Sequence, residues 1–268
     1  MAAANVRGRA VKHALVTGAS SGIGREFALQ LARRGYRVTA VARREPLLRE
    51  LLSALPGEGH DYLAADLADP AGVAAVAARM QDARCHLLIN NAGYSVLQPF
   101  YQSGLALQQD ILAVNCGALL TLSHHFLGQA QPGDALVNLS SIVADLPTPA
   151  QPVYSASKAF IASFSECLWQ EQRDRGVYVM GLCPGVTETG FIQTATGGES
   201  AGESLPAALT QTPAEVVSEA LAALEKRHKP IVVTGWANRL MVALMPRVLS
   251  RFRLLRTLAV IGDPERAL

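Results

Sequence analysis

Apolar residues in this 268-residue chain follow two rhythms that take turns along its length. Short β-branched runs, apolar almost throughout, recur as "HALVT" from His13, "YRVTAVA" from Tyr36, "HLLIN" from His86, "ALVNLS" from Ala135, "VYVMGLC" from Val177 and "PIVVTG" from Pro230. A strand wetted on one face alternates apolar and polar residues, so continuous runs predict strands buried on both faces. Between them, "GREFALQLARRG", "PAGVAAVAARM", "LQQDILAVNCGALLTLSHHFLGQA" and "SKAFIASFSECLWQEQRDRG" repeat apolar residues at threes and fours, the period of a helix with one buried stripe. With a third strand ahead of "AADLAD", the alternation predicts a single α/β domain, a doubly wound parallel sheet of about seven strands with helices on both faces.

The core of that domain should span about residues 11–235, leaving 236–268 as an extension. In "TPAEVVSEALAALEKR", Thr212 can cap the helix amides, Pro213 suits the first turn and Glu215 completes a capping box. The low-complexity stretch before it, "TATGGESAGESLPAAL" from Thr194, reads as a mobile loop.

Half of the residues are hydrophobic, enough for one sizeable core. Only 17% are charged and the formal net charge is +2, which leaves no electrostatic footprint for nucleic acid and turns attention to small molecules and apolar surfaces. Cys85, Cys116, Cys167 and Cys183 show no paired spacing, which suits reduced thiols better than a disulfide frame or a zinc site. His60, His86, His124, His125 and His228 are scattered and offer no metal-ligand set. The N-terminus lacks the continuous apolar stretch and cleavage signal of a secretory peptide, so the expected location is cytoplasmic.

Directly after the first strand stands "TGASSGIG", with Gly18, Gly22 and Gly24 leading into a helix. Glycines there let the backbone turn sharply and approach a pyrophosphate, while the helix amides face the anion. The spacing departs from the usual GxGxxG, and a tight strand-to-helix turn is the plainer alternative. The second strand ends at Ala42, Arg43 and Arg44, where an acidic residue would otherwise take the ribose hydroxyls. Two guanidinium groups there suit a 2′-phosphate and favour NADP over NAD; the alternative is a pair of ordinary solvated charges at a helix start. Asp66 could accept a hydrogen bond from an adenine amino group, or merely cap the helix starting near Pro70.

In "YSASK", Tyr154 and Lys158 lie at i and i+4 and so share one side of a helix. Acid–base work near neutrality requires the phenol to fall two to three units from about 10, or roughly 3–4 kcal/mol. An ammonium at about 5 Å, with an effective dielectric of about 20, supplies roughly 3 kcal/mol. Taken alone, such a pair is common surface decoration. Ahead of it, however, "NLSSIVADLP" delivers Ser140 and Ser141 to the carboxyl edge of the sheet, where open α/β folds bind ligands and a hydroxyl could bond a substrate carbonyl.

The chain resembles a classical short-chain dehydrogenase/reductase. The resemblance rests on "TGASSGIG", "NNAG" (Asn90 to Gly93), Asn115 in "VNCG", the serine, "YSASK" and "PGVTET" from Pro184, in that order over roughly Val11 to Gly235. It implies a Rossmann-like fold and direct hydride transfer between a nicotinamide, here NADP(H), and a carbonyl carbon, with no metal. Tyr154 would be the general acid, Lys158 would lower its pKa and hold the nicotinamide ribose, Ser141 would orient the substrate, and Asn115 would hold a water linking Lys158 to solvent. Cofactor contacts would come from Gly18, Ser20, Ser21, Gly22, Ile23, Gly24, Arg43, Arg44, Asp66 and Leu67. Asn91, Ala92, Gly93, Pro184, Gly185, Thr187 and Thr189 would add to them, beside Tyr154 and Lys158. A homodimer or homotetramer would form through the two long helices from Leu105 and Pro152.

Substrate walls should come from Tyr94, Val96, Val143 to Leu146, and the loop from Val186 to Leu209, which could close as a lid. These are mainly apolar or small, which suits a hydrophobic ketone, aldehyde or alcohol. The alternative is a 3-oxoacyl thioester reductase, distinguished by turnover of thioesters and not of simple ketones. A non-catalytic dinucleotide-binding protein would show cofactor binding without turnover. From Trp236 onward, arginines alternate with large apolar residues around Pro246. That segment could flap over the cleft or meet another subunit, pack on the body, or attach peripherally to a membrane; it is too charged to span one.

Overall fold

A computed structural model describes residues 11–149, 151–189 and 209–262. The strands are β1 (His13–Thr17), β2 (Arg37–Ala42), β3 (Asp61–Ala64), β4 (Leu87–Asn90), β5 (Ala135–Leu139), β6 (Tyr178–Cys183), β7 (Val186–Thr187), β8 (Thr210–Gln211) and β9 (Ile231–Val233). Seven of them form one sheet in the order β3-β2-β1-β4-β5-β6-β9, with every described pairing parallel. The order runs outward from β1 in one direction and then the other, so the winding reverses between β1 and β4, where open sheets of this type bind ligands.

The helices are α1 (Gly22–Arg33), α2 (Glu45–Ala54), α3 (Pro70–Asp82), α4 (Leu105–Leu112), α5 (Leu119–Gln129), α6 (Pro152–Glu171), α7 (Pro213–Lys226), α8 (Trp236–Val248) and α9 (Arg251–Gly262). Successive strand residues point to opposite faces, and this builds two cores. Ala14 and Val16 of β1 join Phe27, Leu31, Leu48, Val216 and Ala220 of α1, α2 and α7. Leu15, between them, joins Val76, Met80, Leu122 and Phe126 of α3 and α5. Phe27 and Phe126 are fully enclosed, and burying a side chain of that kind contributes roughly 2–3 kcal/mol.

Helix ends follow the local code in part. Thr212 and Glu215 form the predicted capping box, with Glu215 N donating to Thr212 Oγ1 at 3.3 Å and Thr212 N to Glu215 Oε2 at 2.8 Å. Asp66, by contrast, does not cap α3. That cap is Asp69, whose carboxylate accepts from Ala71 N at 2.9 Å, while Asp66 accepts from Ala68 N at 3.0 Å and shapes the turn before it.

The stretch from Leu105 to Gln129, predicted as one helix, is interrupted by a π-helical turn at Ala113–Ala118. A wide turn of this kind inserts an extra residue and re-aims the side chains on it, and π-turns cluster at functional sites. By length and composition the whole run could cross a membrane, yet 44% of its most apolar window is buried inside the body. One side of it, through Val114, Ala118, Leu122 and Phe126, packs in the second core, while Leu105, Leu112 and Leu120 are exposed. The sixth histidine, His13, is also structural: buried at the start of β1, it bonds Thr39 Oγ1 at 2.8 Å, and burial lowers its pKa.

Gly18 and Gly24 fit the turn between β1 and α1 for steric reasons. Gly18 has φ +67°, and a Cβ on Gly24 would lie 2.3 Å from the Gly18 carbonyl oxygen and 2.4 Å from Asn91 Nδ2. The Gly18 contact is with backbone and cannot be relieved by turning a side chain, and Asn91 could turn away only by giving up its bonds to Thr17 O and Gly18 O. Gly24→Ala should therefore cost roughly 1–3 kcal/mol of stability, read as a lower urea midpoint at unchanged m-value.

Candidate active site

All parallel strands end at one edge, and the loops leaving that edge carry the residues singled out from the sequence. Ser140 and Ser141 follow β5. Ser140 Oγ donates to the Lys158 carbonyl at 2.7 Å, which fastens α6 to the strand end. Ser141 is buried, with its Oγ accepting from Val143 N at 3.3 Å and donating to Pro184 O at 3.4 Å. It also shares a side-chain hydrogen bond with Tyr154. Lys158 is buried, donates to the Leu139 carbonyl at 2.7 Å, and places its Nζ 5.4 Å from the centre of the Tyr154 ring.

Asn115 sits fully buried on the π-helical turn. Its Oδ1 accepts from Tyr94 N, and its Nδ2 donates to Tyr94 O and Ser157 Oγ, each at 3.1 Å. The side chain thus pins the chain after β4 to α6. A Cβ on Gly93 would lie 3.0 Å from Asn115 Oδ1 and 3.5 Å from Lys158 Nζ, so Gly93, Asn115 and Lys158 converge.

The electrostatics differ from the simple picture of an ammonium acidifying a phenol. Burial raises the Tyr154 hydroxyl above its ordinary value, with the Ser141 bond acting the other way, and burial pulls Lys158 down to about 8. Desolvation penalises the charged form of each group more than their separation rewards it.

At the phosphate end, Arg44 Nη2 reaches across the glycine-rich turn to Ser20 Oγ at 3.1 Å and Ser21 Oγ at 3.3 Å. Arg43 lies 3.9 Å from Asp66 across two exposed side chains. Asn91 Nδ2 donates to Thr17 O at 2.8 Å, and Thr17 Oγ1 accepts from the backbone of both Asn91 and Ala92 at 3.0 Å. The Thr189 methyl stands over Gly22, 3.0 Å from where a Cβ would be. Ile23 packs on one core and Leu67 is buried in the other. Pro184, Gly185 and Thr187 leave β6 beside Ser141, and Val143 occupies a single 3₁₀ turn after it. Of the expected lid, residues 190–208 lie outside the described residues; its ends are tied where β7 pairs with β8.

The short chain dehydrogenase family model matches residues 12–199. The chain belongs to that family. Among curated relatives, sulfoacetaldehyde reductase 2 of Chromohalobacter salexigens is 34% identical over 213 residues, which cover 76% of this chain and 84% of that protein. A short-chain dehydrogenase from Sphingobium yanoikuyae in complex with NADPH is 32% identical with a TM-score of 0.75, over 83% of this chain and 87% of that one. The bulky-bulky ketone specific alcohol dehydrogenase from Comamonas testosteroni is 26% identical with a TM-score of 0.73, over 91% and 98%. Family members bind a nicotinamide dinucleotide and act on CH–OH or C=O groups, so this short-chain dehydrogenase is an oxidoreductase.

Several residues that brace this dehydrogenase's site were given no role from the sequence. Asn90 bonds Asn138 and Ser123, each at 3.0 Å, and Asn138 bonds Ser165 at 3.1 Å, a buried polar ladder across β4, β5 and α6. Asn238 of α8 is fully buried and donates to Thr234 O at 3.1 Å; a Cβ on Gly185 would stand 2.3 Å from its amide. Asn90 was marked only as the first residue of "NNAG", and Asn138 stood unmarked within the apolar run of β5. Among the described residues no group of three or more His, Cys, Asp or Glu could hold a metal, and all four cysteines are free thiols.

A buried lysine drawn down to about 8 is costly while charged, and the cost is relieved as pH rises from about 8 towards the unfolded value of about 10.4. The stability of the wild type relative to Lys158→Met should therefore climb between about pH 8 and pH 10. Thermal midpoints of both proteins across that range test this. Groups that do not interact with Lys158 contribute equally to both and cancel in the difference, whereas Cys116 and Cys183, whose thiols the lysine draws down, do not.

Proposed function

We propose that this enzyme is an NADP(H)-dependent oxidoreductase of hydrophobic ketones, aldehydes and secondary alcohols. The observation that carries the reading is the convergence of Ser141, Tyr154 and Lys158 at the sheet edge beside a glycine turn crossed by Arg44. The turn fits a dinucleotide: Gly18 and Gly24 leave the backbone bare, while Arg43 and Arg44 are exposed beside it, tied only to Asp66 and to the Ser20 and Ser21 hydroxyls, where their guanidinium groups suit a 2′-phosphate. The bound nicotinamide supplies or accepts the hydride. Tyr154, neutral because its charged form is disfavoured, is the proton donor to the carbonyl oxygen in reduction. Ser141 orients that oxygen and stabilises the phenol's conjugate base through their shared hydrogen bond. Lys158, held by the Leu139 carbonyl, is positioned to carry the next proton, and Asn115 fixes Gly93 and α6 so that the groups stay in register.

The preference for apolar substrates rests on the residues around the site. Val143 bonds the serine through its backbone, Tyr94 is held by Asn115, and Met241, Val242 and Met245 of α8 pack against Leu146 at the end of the same turn. The two NADPH-bound and bulky-ketone relatives are consistent with the same reading. Leu105, Leu112, Leu120 and Phe160 leave an apolar face on α4, α5 and α6, which supports a homo-oligomer built through those helices.

NADPH and NADH oxidation against a panel of bulky ketones, aldehydes and 3-oxoacyl thioesters tests the assignment. Arg43→Ala with Arg44→Ala should raise the NADPH KM roughly 10- to 100-fold and change the NADH KM by less than about threefold. Equal losses would remove the 2′-phosphate role. Tyr154→Phe should lower kcat by about 100-fold or more while leaving the NADPH Kd within about threefold. Turnover confined to thioesters would replace the ketone reading.

A further inference from the structure

The C-terminal helices are apolar on two opposite sides. Inward, Leu254 and Leu258 of α9, with Met241 and Met245 of α8, pack on Leu146 and complete a small core of their own. Outward, Trp236, Leu240, Leu244, Val248, Phe252 and Leu255 are each 39–75% exposed. The first four repeat every fourth residue, so they form one continuous flank along α8, and Phe252 and Leu255 continue it onto α9. These residues add nothing to the core.

The charge of the same segment is one-sided. Residues 236–268 carry six arginines against Asp263 and Glu265, whereas the remaining chain has 18 basic against 20 acidic residues. Arg239 pairs with Glu219 at 2.7 Å, and Arg251 acts on Asp145 of the body. Arg247, Arg253 and Arg256 are exposed and have no acidic partner within 4.0 Å among the described residues. The Arg256 guanidinium lies 5.7 Å from the centre of the exposed Phe252 ring, so cation and apolar surface are presented together.

We infer that the outward face of α8 and α9 docks on an anionic lipid bilayer, with the apolar flank entering the acyl boundary and Arg247, Arg253 and Arg256 meeting headgroup phosphates. A tryptophan at the start of the flank and long cations along its margin are the side chains that settle at a membrane interface, where one end is apolar and the other wet. A second copy of this chain fits the surface less well. A two-fold contact sets each patch against itself and would bring the unpaired arginines of one copy against those of the other.

Full-length protein sedimented with sucrose-loaded vesicles decides the matter, using phosphatidylcholine alone and phosphatidylcholine mixed with phosphatidylglycerol. Binding to the mixed vesicles should be stronger by roughly 100-fold, at about fivefold for each of three arginines, and should weaken as salt is raised. Arg247→Gln, Arg253→Gln and Arg256→Gln together should reduce mixed-vesicle binding to the level of the neutral vesicles. Leu240→Ser, Leu244→Ser and Phe252→Ser together should abolish binding to both, with NADPH affinity and thermal midpoint unchanged; Phe252→Ser alone serves if the triple variant does not fold. Equal, weak binding of the wild type to both vesicle types would overturn the inference. So would lipid binding that survives in the folded serine variant. Self-association of the lipid-free wild type that the serine changes abolish, without any lipid binding, would assign the flank to a contact between copies and overturn it equally.

Discussion

Parallel pairing is the constraint on which the rest of this molecule depends. Because β1, β4, β5 and β6 run in the same direction and in register, their last residues, Thr17, Asn90, Leu139 and Cys183, reach the same edge together. The loops that follow are thereby placed side by side although they lie far apart in the chain. Burying such strands on both faces requires helices above and below, which the alternating cores supply. The edge is left as the place where backbone polar groups, hydroxyls and bare glycine backbone can meet a ligand.

Keeping polar groups buried at that edge requires that each be given a partner. The ladder from Ser123 through Asn90 and Asn138 to Ser165, and the bonds of Asn115 to Tyr94 and Ser157, do this for most of the groups beneath Tyr154 and Lys158, with Asn90 Oδ1 left without a bond among the described residues. Above them, Tyr154 and Lys158 are held in positions where burial opposes charge on both. The resting site therefore favours a neutral phenol, the form needed to donate a proton, and holds the ammonium near the middle of its titration at mildly alkaline pH.

The C-terminal extension belongs to this arrangement. Asn238 packs behind Gly185, Arg239 pairs with Glu219 of α7, and α9 closes over Leu146, two residues past the turn that holds Val143. The same helices thus brace the loop after β6 from one face while their other face is left apolar and basic.

Much of the fold was legible in the sequence because strand and helix periods come from backbone geometry that acts over a few residues. The central strands, the glycine turn, the capping box at Thr212 and the shared helix side of Tyr154 and Lys158 are all short-range facts. Where two local solutions competed, the sequence could not choose. Asp66 was left between a ligand contact and the cap of α3, and Asp69, directly before Pro70, takes the cap. The apolar run from Leu105 to Gln129 had the composition of a membrane span, and its packing against α3 and α6 and the π-turn that carries Asn115 appear only in the folded chain. The charge balance between Tyr154 and Lys158 was likewise beyond a distance argument, since it turns on how much water the surrounding chain excludes. The sequence by itself determined which segments form strands and helices and which side chains share a local face. The tertiary structure decided which distant groups meet and how strongly burial opposes their charges, because those quantities depend on contacts between residues tens to hundreds of positions apart.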